Sequence, residues 1–108
     1  MVTPDRGDLI WIDFDPARGR EQQKHRPAIV LSAKDYSIRS GLILVCPITS
    51  VQKGYPFEVP VQYKQISGVI LSDQIRSVDW RDRGAKRIGK CKPEIITAVL
   101  QKLRVLVE

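Results

Sequence analysis

Apolar and polar positions alternate almost from the start of the chain. In the stretch GDLIWIDFD, Ile10, Ile12 and Phe14 fall on one side of an extended backbone, and Leu9, Trp11, Asp13 and Asp15 on the other. That period of two predicts a strand with one wholly apolar face and a second that turns acidic toward its end. The next segment, DPARGREQQKH, has an Asp-Pro step, a glycine and no apolar period, which predicts an exposed loop of about ten residues. Polar loops of that length in small domains tend to be functional or mobile. RPAIVLS then reads as a short strand with Pro27 near its start, where a missing N–H does least harm.

Further along, AKDYSIRSG predicts a turn or one short helix, and LILVCPIT a buried strand that hands over to the loop VQKGY. PFEVPVQY places Phe57, Val59, Val61 and Tyr63 on one side, and its Pro60 assigns that strand to a sheet edge or a bulge. SGVILSDQIRSVDW reads as one long bent strand or two, and AKRIGK as another short one. Only the tail is helical in pattern. Pro93 suits a first helical turn, and Ile95, Ile96, Val99, Leu100 and Leu103 form a core-facing stripe, with Leu106 and Val107 expected to be buried as well. The expected fold is mainly β: a small antiparallel sheet curled into a partial barrel and closed by a C-terminal helix.

At 108 residues the chain is expected to form one domain around a single core. No apolar run approaches the roughly 18 residues of a membrane span, and the N-terminal residues lack a signal-peptide pattern, so a cytoplasmic location is expected. Cys46 and Cys91 are far apart, without a CxxC pair and with a single histidine, which gives no zinc pattern. Free thiols are the usual state of two such cysteines, although spacing alone leaves a disulfide open. The net charge of +6 is uneven: Arg76–Lys92 holds seven basic residues against two acidic, and Arg18, Arg20, Lys24 and Arg26 face Glu21 alone. Such a surface attracts polyanions or an acidic protein partner.

The segment EQQKHRPAIVLS sets an acid, two amides and the only histidine directly before an apolar strand. The chain has no Gly-rich phosphate loop, no GxSxG and no HExxH. RNA, however, brings its own nucleophile, the 2′-hydroxyl beside the scissile phosphorus. Cleavage then requires a base, stabilisation of the phosphorane and a proton for the departing 5′ oxygen. Glu21 suits the base and Arg26 the doubly charged phosphorane. Thr49 and Ser50 suit hydrogen bonds to the same oxygens, and His25 suits proton transfer or base stacking. Plainer roles stand beside each: an ion pair for Arg26 with Asp13 or Asp15, a turn bond for Thr49, solvent for His25.

Taken in order, GDLIWIDFDPARGREQQKHRPAIVLS, PITS, KGYPFEV, GVILSDQIRSVDW and RGAKRIGK closely resemble the MazF/PemK family of bacterial toxins, from about Arg6 to the closing helix. The resemblance implies an SH3-like barrel, a symmetric homodimer and a sequence-selective endoribonuclease that cuts single-stranded mRNA without a metal or other cofactor. It also implies 2′,3′-cyclic phosphate and 5′-hydroxyl ends, and neutralisation by a cognate antitoxin with an acidic tail. The family's catalytic arginine, threonine and glutamate fall on Arg26, Thr49 and Glu21, and its DQ pair on Asp73 and Gln74 in the RNA groove. Some plasmid-borne members carry an arginine where this chain has Leu71 and a histidine where it has Arg20. Their mechanism, with the aspartate as base, does not carry over, which leaves Glu21 and Arg26 favoured over Asp73. Base recognition is expected from Gln74, Ser50 and Tyr55, and from Trp80 if it is not core or dimer interface. Lys53, Arg81, Arg83, Lys86 and Arg87 would steer the RNA backbone, and the antitoxin tail would compete with RNA for Arg18, Arg20 and the Arg81–Arg87 cluster. Two alternatives share the barrel: a non-enzymatic toxin that binds DNA gyrase through an exposed C-terminal end, and an RNA-binding module without catalysis.

Overall fold

The elements follow the apolar pattern closely. A computed structural model describes residues 2–14 and 25–108. Within them run β1 (Asp8–Asp13), β2 (His25–Val30), α1 (Lys34–Ser40), β3 (Leu42–Thr49), β4 (Glu58–Tyr63), β5 (Ile66–Leu71), β6 (Arg76–Asp79), β7 (Lys86–Lys90) and α2 (Pro93–Val107). All strand pairs are antiparallel, in the order β4-β5-β3-β2-β1-β7, with β6 also on β3. The expected mainly-β half-barrel with a C-terminal helix is present. The AKDYSIRSG segment resolves to a short helix.

Strand β3 is the spine. Its first half pairs with β6, its middle with β2 and its end with β5. The segment that reads as one strand or two is two strands along the same course. Val45 faces Arg76 and Ile48 faces Ile70, so β3 advances three residues while its partner advances six. The surplus is a 3-10 turn, Ser72–Gln74, which breaks the ladder and lifts Asp73 and Gln74 to the surface. Ser72 stays fully buried beneath them.

Burial on both faces of the curled sheet replaces the single core expected from length. Leu9, Ile29, Cys46, Ile48 and Ile70 form one cluster, covered by Val99 and the half-buried Ile95, Ile96 and Leu103 of α2. Ile10, Ile12, Phe14, Val30, Val45 and Trp80 form the other. Successive side chains of β1 therefore feed opposite cores, and the acid that ends its second face, Asp13, is itself buried. A fully buried aliphatic side chain contributes about 1.5–3 kcal/mol, so β1 and β3, buried on both sides, carry much of the stability.

Pro60 lies on β4, the strand at one end of the order, where an edge position tolerates its missing N–H. The two ends of the order meet through Tyr63 of β4 and Gly89 of β7. A Cβ on Gly89 would lie 2.1 Å from the Tyr63 hydroxyl and 2.4 Å from Cζ, so only glycine lets the ring lie on that backbone. This contact curls the sheet toward closure. The last turn of α2 overturns an expectation: Val105, Leu106 and Val107 are 77%, 44% and 80% exposed. The helix docks on β4 and the 3-10 turn, and its apolar stripe continues past the surface that covers it. No helix among the described residues is long and apolar enough to cross a membrane.

Candidate active site

Thr49 ends β3 at the point where the sheet bends. Its position depends on β5: a Cβ on Gly68 would lie 2.1 Å from the Thr49 carbonyl oxygen and 3.1 Å from Ser50 Cα. Glycine at 68 therefore permits the close strand approach that fixes Thr49 and Ser50. The Thr49 hydroxyl oxygen accepts the Val51 amide at 3.2 Å, the turn bond that a strand-ending threonine commonly makes. Accepting there leaves the hydroxyl proton free to be donated outward, so the plain role and the chemical one are compatible.

Two clefts share Thr49 as a common wall. The first, about 310 Å³, brings Arg26 from β2 together with Thr49 and Ser50 from the end of β3. Trp11, Gln65 and Ser67 line it too. The second, about 340 Å³, lies between the Lys53 and Tyr55 turn and the 3-10 turn carrying Asp73 and Gln74. Both volumes are at the small end of the range for ligand sites. Six of the residues singled out in the sequence besides Thr49 are thus collected in two adjoining hollows. Arg26 is exposed and makes no ion pair among the described residues, and Thr49 is half-buried. Glu21, Arg18 and Arg20 lie outside the described residues.

His25 opens β2 opposite Asp13 and is exposed. Its Nε2 lies 3.9 Å from where a Cβ on Gly84 would sit, so the imidazole borders the turn between β6 and β7. That turn does not form one uniform basic face. Arg83 donates to the carbonyls of Asp13 and Phe14 and is half-buried, a clamp on the end of β1. Arg81 lies over the Trp80 ring at 4.9 Å. Lys86 and Arg87 are consecutive strand residues and so face opposite ways. Lys86 pairs in register with Trp11 of the first cleft, whereas Arg87 bonds Asp8 at 3.2 Å. Trp80, one candidate for base stacking, is a core residue, 1% exposed, and its indole N–H has no partner among the described residues.

Trp11, Gln65, Ser67 and Glu58 line the clefts without having stood out in the sequence. Gln65 lies in the tight turn between β4 and β5 with Ser67 just beyond it, Trp11 carries the apolar alternation of β1, and nothing local marks Glu58 as more than a polar strand residue. Both cysteines are free and buried in the α2-side core. Burial pushes the Cys46 thiol up to about 12 and the Cys91 thiol up to about 11. Among the described residues no group of three His, Cys, Asp or Glu side chains is arranged to hold a metal ion. The second aspartate of the Asp13-Phe14-Asp15 stretch lies outside them.

Residues 5–107 match the family described as PemK-like, MazF-like toxin of type II toxin-antitoxin system. The chain is 48% identical over 105 residues to the endoribonuclease toxin MazF of Escherichia coli (strain K12), covering 97% of this chain and 95% of that protein. It is 39% identical over 110 residues to the endoribonuclease toxin ChpB of the same organism, covering 96% and 94%. Among solved structures, a MazE-MazF crystal structure (Form-II) from Deinococcus radiodurans superposes with a TM-score of 0.89 at 43% identity, covering 97% of this chain and 96% of that one.

Proposed function

Because the chain belongs to the PemK-like, MazF-like toxins of type II toxin-antitoxin systems, we propose that it is an endoribonuclease cutting single-stranded RNA by attack of the RNA's own 2′-hydroxyl. The observation that carries this is the meeting of Arg26, Thr49 and Ser50 in one cleft from two separate strands. In the reaction the 2′ oxygen bonds to phosphorus as the bond to the 5′ oxygen breaks, leaving a 2′,3′-cyclic phosphate and a 5′-hydroxyl. The 2′ proton is taken by a base, for which Glu21 is our assignment, and a proton is delivered to the 5′ oxygen. Arg26 keeps its charge throughout and stabilises the phosphorane through its planar fork. Thr49, with its oxygen already accepting from Val51, presents its proton to the same oxygens. The substrate supplies the nucleophile, so the step needs no metal-bound water.

The second cleft, with Tyr55, Lys53, Asp73 and Gln74, would hold neighbouring nucleotides by stacking and hydrogen bonds. We also propose a homodimer, a cytoplasmic site of action on mRNA that halts translation, one functional domain spanning 1–108, and an acidic antitoxin tail as natural inhibitor. The tail's landing site would include the exposed Arg81 and Lys86. The antitoxin proposal is supported by the relatives solved as MazE-MazF complexes.

The test is incubation of long single-stranded RNA with the protein in EDTA, beside Arg26→Ala and Thr49→Ala, with fragment ends mapped and their 5′ chemistry determined. Discrete cuts with 5′-hydroxyl ends, slowed about 100-fold or more in each variant, are expected. Intact RNA from folded wild-type protein would sink the proposal. One observation favours a second role, gyrase binding: the apolar end Val105–Val107 is exposed, as that role requires. Val105–Val107 itself holds no aromatic residue, and a supercoiling assay with purified gyrase decides between the two.

A further inference from the structure

One side chain closes the turn that walls the second cleft. Glu58, half-buried at the start of β4, accepts the Lys53 amide through Oε2 at 3.1 Å and the Gly54 amide through Oε1 at 3.0 Å. Its own amide donates to the Tyr55 carbonyl at 3.1 Å. Both carboxylate oxygens are thus committed to consecutive backbone N–H groups, with Gly54 in the left-handed region at φ 82°. Two successive amides converging on an oxygen anion form the concave donor pair that elsewhere binds phosphates; here the anion is internal. Charge-assisted bonds of this kind are about twice as strong as neutral ones, enough to hold a short exposed turn in one shape. The side chains so placed are Lys53 and Tyr55, which face Asp73 and Gln74 across the cleft.

We propose that Glu58 is a positioning residue for substrate binding, holding the Lys53–Tyr55 turn in the shape that closes the second cleft on single-stranded RNA. This rests on the RNA reading above. The sign of the effect separates positioning from charge. Glu58 places a carboxylate on a wall that receives a polyanion, so removing the charge alone would tighten binding. Positioning demands the reverse, because Lys53 and Tyr55 would have to be ordered at the expense of binding.

The experiment uses the full chain and a fluorescein-labelled single-stranded RNA of mixed sequence with 2′-fluoro riboses, which cannot be cut. Anisotropy gives Kd for wild type, Glu58→Ala, Glu58→Gln and, as a destabilised control in the core that α2 does not cover, Val30→Ala. With two amides released, Glu58→Ala is expected to weaken binding about tenfold, and Glu58→Gln, which keeps one acceptor oxygen, about threefold. Amide exchange at Lys53 and Gly54 should quicken in both, while Val30→Ala binds as wild type does. Equal or tighter binding by Glu58→Ala, or the same weakening in Val30→Ala, overturns the assignment. Wild type that binds this probe with the Glu58 dependence yet leaves ordinary RNA intact would overturn the endoribonuclease proposal alone. Wild type that binds no probe overturns the Glu58 assignment, and if it also leaves ordinary RNA intact, both.

Discussion

Cys46 is held between β3 and the 3-10 turn, its thiol directed at the Ser72 carbonyl at 3.8 Å. Burial raises it from an ordinary value of 9.0 to about 12, and Cys91 from the same value to about 11. A thiol whose folded value is raised favours the folded state below the unfolded value. That contribution is therefore whole below about pH 9 and is lost as pH climbs through the folded values. The thiolate is the reactive form, so both cysteines should react slowly with a thiol reagent at pH 8 and at once in denaturant. Rapid reaction of either in the native protein would contradict their burial. At this scale the sequence conveyed residue type well and direction poorly. Arg26 and Thr49 read as candidates for phosphate-binding chemistry, and the structure brings them into one cleft. Nothing local distinguishes Arg83, which turns back onto two carbonyls, from Lys86, which stays exposed. Trp80 was equally ambiguous, since an aromatic ring suits a core as readily as a base-stacking surface.

Among the elements, strands were the most legible because period two is a direct geometric consequence of an extended backbone. Pro60 located an edge, and Pro93 the start of α2. The hidden part was what lies opposite each face. Leu9 and Ile10 look alike in sequence and enter different cores, because the sheet curls and α2 covers only one side. The same helix shows why stripes overpredict burial: spacing specifies a face, not how far the neighbouring surface extends. Its two ends should respond differently. Val99→Ala, at a fully buried site, should cost about 2 kcal/mol, whereas Val107→Lys, at a site 80% exposed, should stay within about 0.5 kcal/mol of wild type. Denaturant midpoints compare them. A large loss from Val107→Lys at all protein concentrations would mean that the end of the helix is packed within its own chain.

Across the whole molecule, a charge of +6 overstates the freely available positive surface. Arg87 and Lys90 both lie against the buried Asp8, and Arg83 is a backbone clamp. Arg26, Lys53, Arg81 and Lys86 remain exposed and without an ion pair among the described residues. About four phosphate contacts on a single strand correspond to a slope of about −3 in log affinity against log salt, and Lys86→Ala should reduce its magnitude by about 0.7. Titrating RNA binding across a salt series measures both. A Lys86→Ala slope identical to wild type would remove Lys86 from the RNA path, and an unchanged fold in Arg83→Ala would argue against the clamp.

The break between β5 and β6 has an evolutionary consequence. Each strand is tied to β3 by its own rungs, so the register of one is not transmitted to the other. The backbone at Ser72 must stay in place, since its amide donates to the Phe57 carbonyl and its own carbonyl receives the Cys46 thiol. Asp73 and Gln74 carry no such duty among the described residues. They form a two-residue cassette on a fixed frame, where diverging copies can exchange or lengthen sequence and reshape one wall of the second cleft while every strand keeps its place.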